Sequence, residues 1–506
     1  MDDATVLGID CSTTAAKAIA WDLEGHARAE GRAPIALDNP APDAWEQDAE
    51  EWWNATTTAV RTAVAALDND AGRLRALAVT HQRETFVLTD DSSRPLRPAL
   101  SWMDARCRPQ VKAAIERLGE ARLHEISGKP ACVTPSLYKL LFLRELEPQL
   151  GSTPFWLCDV HAFLAWRLTG RFATSLASAD PLGLVDLKKR DWSDELVGLA
   201  GLDRSQLPEL VEPGTPLGTL SAGAAGACGL PAGLPVIAGA GDGQAAGLGA
   251  GIGSPGRAYL NLGTAIVSGV LSRDVRIDRA FRTMIGAAPA TFFLETDLKG
   301  GTFTLTWLVE KLLGRDARDT NAVLAELEAS AVGIPPGSDG LMLVPYWNGV
   351  MNPYWDDEAG GITIGWHGGH GPAHVYRAVL EGIAFEQRLH LEGVERASGQ
   401  RIEELVVMGG GARSALWCQI IADVMKKRVV RAGESEATAL GAGMLAAAGS
   451  GLHADVPAAA RSMSSTAATF EPASAADRYD QLYREVYVGI YPGIRESLQK
   501  LTRLGR

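Results

Sequence analysis

The chain has 506 residues, of which 46% are hydrophobic and 22% are charged. This composition is typical of a folded globular protein and excludes a disordered or fibrous one, while the length predicts two or more domains. An excess of 61 acidic over 48 basic residues gives a net charge of −13, which argues against nucleic acid or an anionic membrane as a partner.

The six cysteines are scattered along the chain, and no two of them have the CxxC spacing. This pattern indicates neither a disulfide framework nor a zinc site, and reduced thiols favour a cytoplasmic location. The first residues are acidic and no basic-then-apolar leader follows them, so we expect no secretion. Residues 234–253, the longest stretch of low charge, are rich in glycine and contain Asp242, so no membrane span is predicted there.

Strand-like and helical patterns alternate over residues 6–100, with a helix predicted around 50–67. This alternation predicts an α/β domain, and residues 107–230 are more helical. The densest glycine cluster of the chain follows at 239–256. Because glycine supplies flexible backbone and little packing, we place the domain boundary there, between an N-terminal domain of residues 1–250 and a C-terminal domain of residues 251–506.

The second half begins with a strand–turn–strand pattern that repeats one near the amino terminus. The first pattern is VLGIDCSTTAAK at 6–17 and the second is AYLNLGTAI at 258–266. Tight turns of small and hydroxyl residues expose backbone N–H groups to a phosphate, so Ser12, Thr13 and Thr14 are candidate phosphate contacts, and Lys17 could face phosphate too. Either hairpin alone could be an ordinary β-hairpin, but the pair favours a polyphosphate held between two related domains.

The later part of the second half predicts a long helix from Pro372 to about Ser398, stopped by Gly399. A strand at 405–408 then leads into Gly409–Gly411 and a helix with Ser414 as its N-cap, and a helix of small residues follows at 437–448. Glycines before a helix N-terminus suit a phosphate or a nucleotide base. A turn with a purely structural role would have the same sequence pattern. The segment lacks the third glycine of a dinucleotide-binding fingerprint. A Walker A loop is excluded because no lysine of the chain is followed by serine or threonine.

Two aspartates are candidates for roles in catalysis, one beside a metal ion and one as a base. Asp10 ends the first strand, and a carboxylate beside a polyphosphate requires a hard cation between them, so we interpret Asp10 as a Mg²⁺ partner, through water. Asp242 lies alone among glycines, where a carboxylate could act as the base that phosphoryl transfer to a hydroxyl needs. The alternatives are that Asp10 bonds its own turn and that Asp242 is a loop residue.

A polar segment after the predicted strand at 76–80 is the candidate acceptor site. Arg83 and Glu84, which follow Gln82, supply a donor fork and an acceptor pair that can hold vicinal hydroxyls of a polyol. Trp102 could cover the C–H face of a sugar, and Gln82 and Asp104 are further candidate substrate contacts. The alternative is a surface ion pair and a core tryptophan.

These pieces, in this order, resemble the FGGY carbohydrate kinases, which are relatives of actin and hexokinase. The resemblance covers residues 5–491 and includes Ile9–Thr14, Gln82–Glu84, Gly241–Asp242, Asn261–Thr264, Tyr376–Gly382, Gly409–Ser414 and Ala437–Gly441. It implies an α/β fold of two RNase H-like domains, ATP and Mg²⁺ in the cleft between them, and transfer of the γ-phosphate to a sugar or polyol.

The resemblance also assigns roles to residues of this chain. Asp242 matches the catalytic base and Asp10 the metal-side aspartate, while Arg83 and Glu84 match substrate contacts. Four residues match nucleotide contacts: Gly263, Thr264, Gly410 and Gly411. Two features depart from the family pattern, because Ser12 replaces a usual glycine and residues 361–366 differ from the second family signature.

The substrate is less sharply indicated. Gln82–Thr85 reads as in glycerol kinases, whereas residues 44–55 and 409–417 look more like those of xylulokinases, which usually have Met-His at positions 83–84. Glycerol kinases usually have a tyrosine where this chain has Val133–Pro135. We expect a pentulose such as xylulose, with glycerol or another short polyol as the alternative. A non-catalytic nucleotide-binding clamp is the alternative of another class, and a homodimer is left open.

Overall fold

The computed structural model describes residues 4–149, 154–347 and 349–505. Within these ranges the principal strands form a six-stranded sheet from the first half of the chain and a seven-stranded sheet from the second half. The strands are β1 Thr5–Cys11, β2 Ala15–Asp22, β3 Ala27–Pro34, β4 Glu46–Gln47, β5 Leu74–His81, β6 Phe86–Thr89, β7 Ala99–Leu100, β8 Trp156–Asp159, β9 Ala173–Ser175, β10 Val185–Asp186, β11 Asp191–Trp192, β12 Glu209–Val211, β13 Pro216–Thr219, β14 Pro235–Gly241, β15 Arg257–Leu262, β16 Ile266–Ser272, β17 Arg282–Ile285, β18 Phe292–Leu298, β19 Met342–Val344, β20 Ile362–Ile364, β21 Glu404–Met408, β22 Arg428–Ala432 and β23 Thr466–Phe470.

The helices cover the faces and ends of these sheets. They are α1 Ala49–Leu67, α2 Arg108–Leu118, α3 Glu120–Ser127, α4 Ser136–Leu146, α5 Val160–Thr169, α6 Leu176–Ala179, α7 Asp194–Ala200, α8 Ala222–Cys228, α9 Asp242–Gly249, α10 Thr302–Trp307, α11 Thr320–Ala331, α12 Pro372–Ser398, α13 Ala415–Met425, α14 Ala437–Gly449, α15 Val456–Met463, α16 Ala476–Leu482 and α17 Val488–Gly505. None of those in the described residues combines the length and the apolar composition needed to cross a bilayer.

The two sheets share one design. The first has the order β13-β14-β5-β1-β2-β3, and the second has the order β17-β18-β16-β15-β21-β22-β23. In the first, β1 is antiparallel to β2 and parallel to β5, which is parallel to β14. In the second, β15 is antiparallel to β16 and parallel to β21, which is parallel to β22. The repeated hairpin of the sequence is therefore the start of the same five-strand arrangement in each half.

Local sequence accounts for these elements well. Every residue of β1 is buried, as expected for an apolar strand in the middle of a sheet that is covered on both faces. Helix α1, predicted around 50–67, buries a stripe of apolar side chains at helical spacing that includes Trp52, Ala59 and Ala63, and Asp48 caps it by accepting the N–H of Glu50. Helix α12 begins at Pro372 and ends before Gly399, which has φ +73°, a left-handed conformation that favours glycine at this position.

Helix α14 joins the two halves. It belongs to the second half of the chain but packs on β1 and α9 of the first half. A Cβ added at Gly8 would lie 2.0 Å from the Ala439 carbonyl oxygen, and one added at Gly441 would lie 2.0 Å from the Ala245 carbonyl oxygen. The small residues predicted for this helix therefore permit backbone-to-backbone packing between the halves.

The sequence predicted flexible backbone in the glycine cluster at 239–256, and this prediction is wrong for residues 239–249. Residues 239–249 form the end of β14 and the whole of helix α9, and they are largely buried. A Cβ at Gly239 would lie 1.7 Å from the Val79 carbonyl oxygen, and one at Gly249 would lie 1.9 Å from that of Ala437. These glycines allow close packing. The boundary after residue 250 falls between α9 and β15 and stays a prediction.

Candidate active site

The carboxyl ends of three parallel strands bring the first group of candidates together. In the strand register Asp10 lies opposite Thr80, and His81 lies opposite Gly241. Asp10 therefore ends β1 beside the residues that follow β5, and Asp242 begins α9 directly after β14. Ligands of open α/β sheets bind at this edge. Asp242 is thus a helix-start residue, and the alternative of a loop aspartate is wrong.

Asp10 is buried, and within the described part of the chain its Oδ1 has no hydrogen-bond partner. The turn after it is closed by Ser12, whose N–H and hydroxyl both donate to the Ala15 carbonyl, rather than by Asp10. Burial raises the pKa of Asp10 to about 7, and the nearby charge of Asp242 raises it further than Lys17 lowers it. A buried, unbonded carboxylate oxygen next to a second carboxylate fits a divalent cation.

Arg83 holds the candidate base. Its Nε lies 2.7 Å from Asp242 Oδ1, and its Nη1 lies 2.8 Å from both carboxylate oxygens of Glu295. Arg83 and Glu295 are buried, whereas the Asp242 side chain is 41% exposed. The guanidinium thus fixes one oxygen of Asp242 and leaves the rest of that carboxylate accessible. Arg83 is not part of a surface ion pair.

A second arginine, from the other half, holds Glu84. Arg282 Nη1 donates to Glu84 Oε1 at 2.8 Å, and the same guanidinium contacts Glu295 at 2.8 Å and Asp297 at 2.9 Å. Tyr259 donates its hydroxyl to Glu295 at 3.0 Å. Burial raises the pKa of Asp297 to about 6 against the opposing charge of Arg282. Burial also tends to raise the pKa of Glu295, but the positive charges of Arg83 and Arg282 outweigh this effect and hold that pKa below its ordinary value.

Sequence analysis missed Arg282, Glu295 and Asp297. A signal was present, because β18 reads FFLETDL and is buried throughout. Two carboxylates in a buried strand require cationic partners. Their partners could not be named from the sequence, since Arg83 lies 212 residues from Glu295.

Gln82 and Asp104 have supporting contacts. Gln82 Nε2 donates to Gln47 Oε1, and Gln47 Nε2 donates in turn to the Thr13 carbonyl, both at 2.7 Å, which supports the first turn. Asp104 is fully buried and accepts from the Trp45 N–H and the Arg106 guanidinium. Both side chains are already engaged with protein.

Trp102 lies at the first turn and is 37% exposed. Its indole N–H donates to Thr13 Oγ1 at 3.0 Å, so the alternative of a core tryptophan is wrong.

Lys17 Nζ lies 2.5 Å from Glu436 Oε2. Because Glu436 directly precedes α14, this pair links the first hairpin to the second half of the chain.

The candidate nucleotide contacts meet at the carboxyl ends of β15 and β21. Asn261 lies opposite Met408 in the register, so the turn with Gly263 and Thr264 adjoins the turn with Gly409–Gly411. Gly409 has φ +82°, and a Cβ there would lie 2.4 Å from Asn261 Oδ1. A Cβ at Gly410 would meet no described heavy atom within 4 Å. The open backbone at Gly410 leaves room for a ligand.

Ser414 caps α13, as predicted. Its Oγ accepts the Trp417 N–H at 3.0 Å and donates to Glu328 Oε1 at 2.8 Å. Thr14 and Thr264 are exposed, and Ser12 and Thr13 are half-buried. The structure therefore gives two groups, one at the end of the first sheet and one at the end of the second.

We expect the pKa of Asp10 to be visible in the stability of the ligand-free protein. The unfolded carboxyl ionises near pH 4, but the folded one stays protonated up to about pH 7, so the folded state binds the extra proton and stability falls as the pH rises between these values. Asp10→Asn removes this loss, which amounts to about 1.4 kcal/mol per pH unit. Calorimetric melting of both proteins in EDTA should show the stability of the variant rising relative to that of the unchanged protein from pH 5 to pH 7. Parallel curves of stability against pH would contradict the raised pKa of Asp10.

Comparison with known proteins gives full-length matches. The model for the N-terminal domain of the FGGY family of carbohydrate kinases matches residues 5–249, and the model for the C-terminal domain matches residues 258–450. A xylulose kinase of Lactococcus lactis is 30% identical over 98% of this chain and 98% of its own length. A glycerol kinase of Thermococcus gammatolerans is 31% identical over 87% of this chain and 88% of its own length.

The solved structures agree with the fold. The crystal structure of a xylulose kinase from Rhodospirillum rubrum superposes with a TM-score of 0.88 at 28% identity and covers 98% of this chain and 99% of that one. The Plasmodium falciparum glycerol kinase structure with ADP has a TM-score of 0.86 at 19% identity, over 97% and 98% of the two chains. These matches confirm the predicted fold class, α/β with two domains of the actin and hexokinase type.

Proposed function

Because the chain belongs to the FGGY family of carbohydrate kinases, we propose that it transfers the γ-phosphate of ATP to a hydroxyl of a small sugar, a pentulose such as xylulose. The observation that carries this proposal is the accessible carboxylate of Asp242, held at 2.7 Å by the buried Arg83. A fixed carboxylate at the carboxyl end of a sheet suits a general base. Glycerol is the second candidate acceptor, favoured by the sequence Gln82–Thr85.

In this proposal Asp242 accepts the proton that the acceptor hydroxyl loses as its oxygen bonds to phosphorus. Arg83 keeps the carboxylate oriented, and its remaining Nη2, together with the second oxygen of Glu84, can hydrogen-bond neighbouring hydroxyls. Trp102 lies where an aromatic face could cover the acceptor. Gln82 and Asp104 support the loop and need not touch the acceptor.

The nucleotide would lie on the two turns and on the open backbone of Gly410, while the adjoining Gly411 packs closely against Trp417. Exposed N–H groups of such turns suit phosphate oxygens, with Thr13 and Thr14 on one side and Gly263 and Thr264 on the other. Ser12 closes the first turn through its bonds to Ala15. Asp10 would hold Mg²⁺, through water. When bound, the ion would neutralise charge on the phosphates. Lys17 is paired with Glu436 and Ser414 caps α13, so in this proposal both side chains support the nucleotide site from their protein contacts.

The test is ADP release from MgATP over a panel of acceptors. We expect release only with a polyhydroxylated acceptor, ranked by kcat/KM across D-xylulose, L-xylulose, D- and L-ribulose, ribitol, erythritol, glycerol and gluconate. Highest turnover with glycerol would replace the pentulose by the second candidate. Nucleotide binding without turnover on any acceptor would favour a non-catalytic clamp and contradict the kinase. The domain boundary, a cytoplasmic location and a homodimer stay predictions.

A further inference from the structure

Strand β14, which ends directly before the candidate base Asp242, contains a bulge. In its parallel pairing with β5, Ile237 lies opposite Ala78, but Ala240 lies opposite Thr80. Between these two pairs β14 therefore has one residue more than β5. A bulge leaves its extra residue outside the ladder, and bulges next to active sites re-aim the side chains that follow.

The bulge residues, Ala238 and Gly239, are held by groups outside the β5–β14 pair. Ala238 donates its N–H to the Thr215 carbonyl, and its own carbonyl accepts the Gly214 N–H, both at 2.8 Å. The Gly239 N–H donates to Nε2 of His161 at 3.0 Å. A buried backbone N–H needs an acceptor, and here an imidazole ring on α5 supplies it.

The contacts of His161 fix the tautomer of its ring. A backbone N–H can only donate, so the Nε2 that accepts from Gly239 carries no proton, and the neutral ring has its proton on Nδ1. That Nδ1 donates to Thr174 Oγ1 at 3.1 Å, and the Thr174 hydroxyl donates in turn to Asp159 Oδ2 at 2.9 Å. The Ser175 N–H lies 3.4 Å from the same Nδ1, which is longer than an ordinary N–H hydrogen bond.

This chain of groups is buried and anchored at its far end. Asp159, His161 and Thr174 are each at most 1% exposed. Asp159 also caps α5, because its Oδ1 accepts the Ala162 N–H at 2.8 Å. Burial, with a smaller contribution from the neighbouring His81, lowers the pKa of His161 to about 3. The ring is therefore neutral near pH 7, and its Nε2 keeps the lone pair that Gly239 needs.

We propose that His161 is a positioning residue for the candidate base, since it holds the Gly239 amide and with it the bulge that aims Asp242 at the acceptor hydroxyl. The inference rests on the proposed function. Arg83 holds the side chain of Asp242, whereas His161 holds the backbone that leads to it. One residue of strand spans about 3.3 Å, so a register shift at the bulge would exceed the misplacement of about 1 Å that can cost about 10²-fold in rate.

The test compares two replacements of His161 in the full-length protein, with MgATP and the best acceptor of the panel. His161→Leu keeps much of the volume of the ring but offers Gly239 no acceptor, whereas the amide oxygen of His161→Gln can take the place of Nε2. We expect kcat to fall at least tenfold in His161→Leu, with KM for ATP within twofold. In His161→Gln we expect kcat within threefold of the unchanged protein. His124→Leu, at another buried histidine, on α3, is the matched control and should leave kcat unchanged.

Hydrogen exchange of residues 235–241, followed by mass spectrometry on the ligand-free proteins, gives a second readout that needs no turnover. We expect faster exchange in His161→Leu, because the Gly239 N–H loses its acceptor, and nearly unchanged exchange in His161→Gln. Thr174→Val removes the hydroxyl that fixes the tautomer and keeps the shape of the side chain. It should speed the same exchange and lower kcat at least threefold.

The outcomes separate this inference from the function beneath it. A kcat of His161→Leu within twofold of the unchanged protein would overturn the inference, even with faster exchange, because the bulge would then be loosened without consequence for Asp242. Equal losses of kcat in His161→Leu and His161→Gln would overturn it as well. Should His161→Leu fail to fold, an unchanged kcat in Thr174→Val has the same meaning. Absence of turnover by the unchanged protein on every acceptor would instead overturn the proposed function, and the inference with it.

Discussion

Replacing Asp242 by asparagine is expected to lower kcat by about 10²–10⁴-fold, the usual value of general-base assistance. The amide has nearly the shape of the carboxylate and can still accept a hydrogen bond from Arg83, which lies 2.7 Å away. It cannot take the proton of the acceptor hydroxyl. The loss should therefore appear in kcat, with little change in KM for ATP or for the sugar.

Binding titrations of the Asp242→Asn protein with the sugar and with a non-hydrolysable nucleotide separate the explanations. Near-unchanged turnover would end the assignment of the base. Lost affinity for the sugar with intact nucleotide binding would make Asp242 a binding residue instead. Asp186→Asn, at the last residue of β10, whose side chain accepts the N–H groups of Lys188 and Lys189, is the control for an aspartate outside the cleft.

Replacing Glu295 by leucine is expected to destabilise the protein by about 3–5 kcal/mol, because removal of one member of a buried ion pair leaves its partners uncompensated. Here the partners are Arg83 and Arg282, both buried and both within 2.8 Å of Glu295. The Tyr259 hydroxyl also loses its acceptor. Because Arg83 holds Asp242, we expect a fall in kcat at temperatures where the variant is still folded.

A double-mutant cycle distinguishes a coupled network from separate contacts. Arg282→Met in the Glu295→Leu background should cost less than it does alone, since one uncompensated charge is then removed. Urea unfolding of the four proteins gives the coupling. Costs that add without coupling would contradict the network. Asp194→Asn, which breaks an exposed pair with Arg204, is the control and should change little, as exposed pairs do.

Much of this molecule follows from short stretches of sequence. The apolar runs at 6–10 and 258–262 predict β1 and β15, and the turns that follow them are where the structure has them. Proline, glycine and serine at the ends of α12 and α13 predict their limits. These features depend on neighbours within a few residues, so a single sequence contains the information.

The glycines at 239–249 show where local interpretation stops. Taken alone they indicate a flexible segment, yet they form a buried strand end and a helix. The reason is their surroundings, because β5 and α14 approach so closely that a Cβ at Gly239 or Gly249 would meet a carbonyl oxygen. Only the packing of elements distant in sequence distinguishes close approach from flexibility.

The sequence by itself determined the two related hairpins, the helices α1, α12, α13 and α14, and the identities of Asp10, Arg83 and Asp242 as candidates. Tertiary structure alone decided how their charges are balanced. Arg83 pairs with a carboxylate 212 residues away, Arg282 with one 198 residues away and Lys17 with one 419 residues away. A buried charge needs a partner close in space rather than in sequence, and which residues are close was settled only when the two sheets packed around their shared helices.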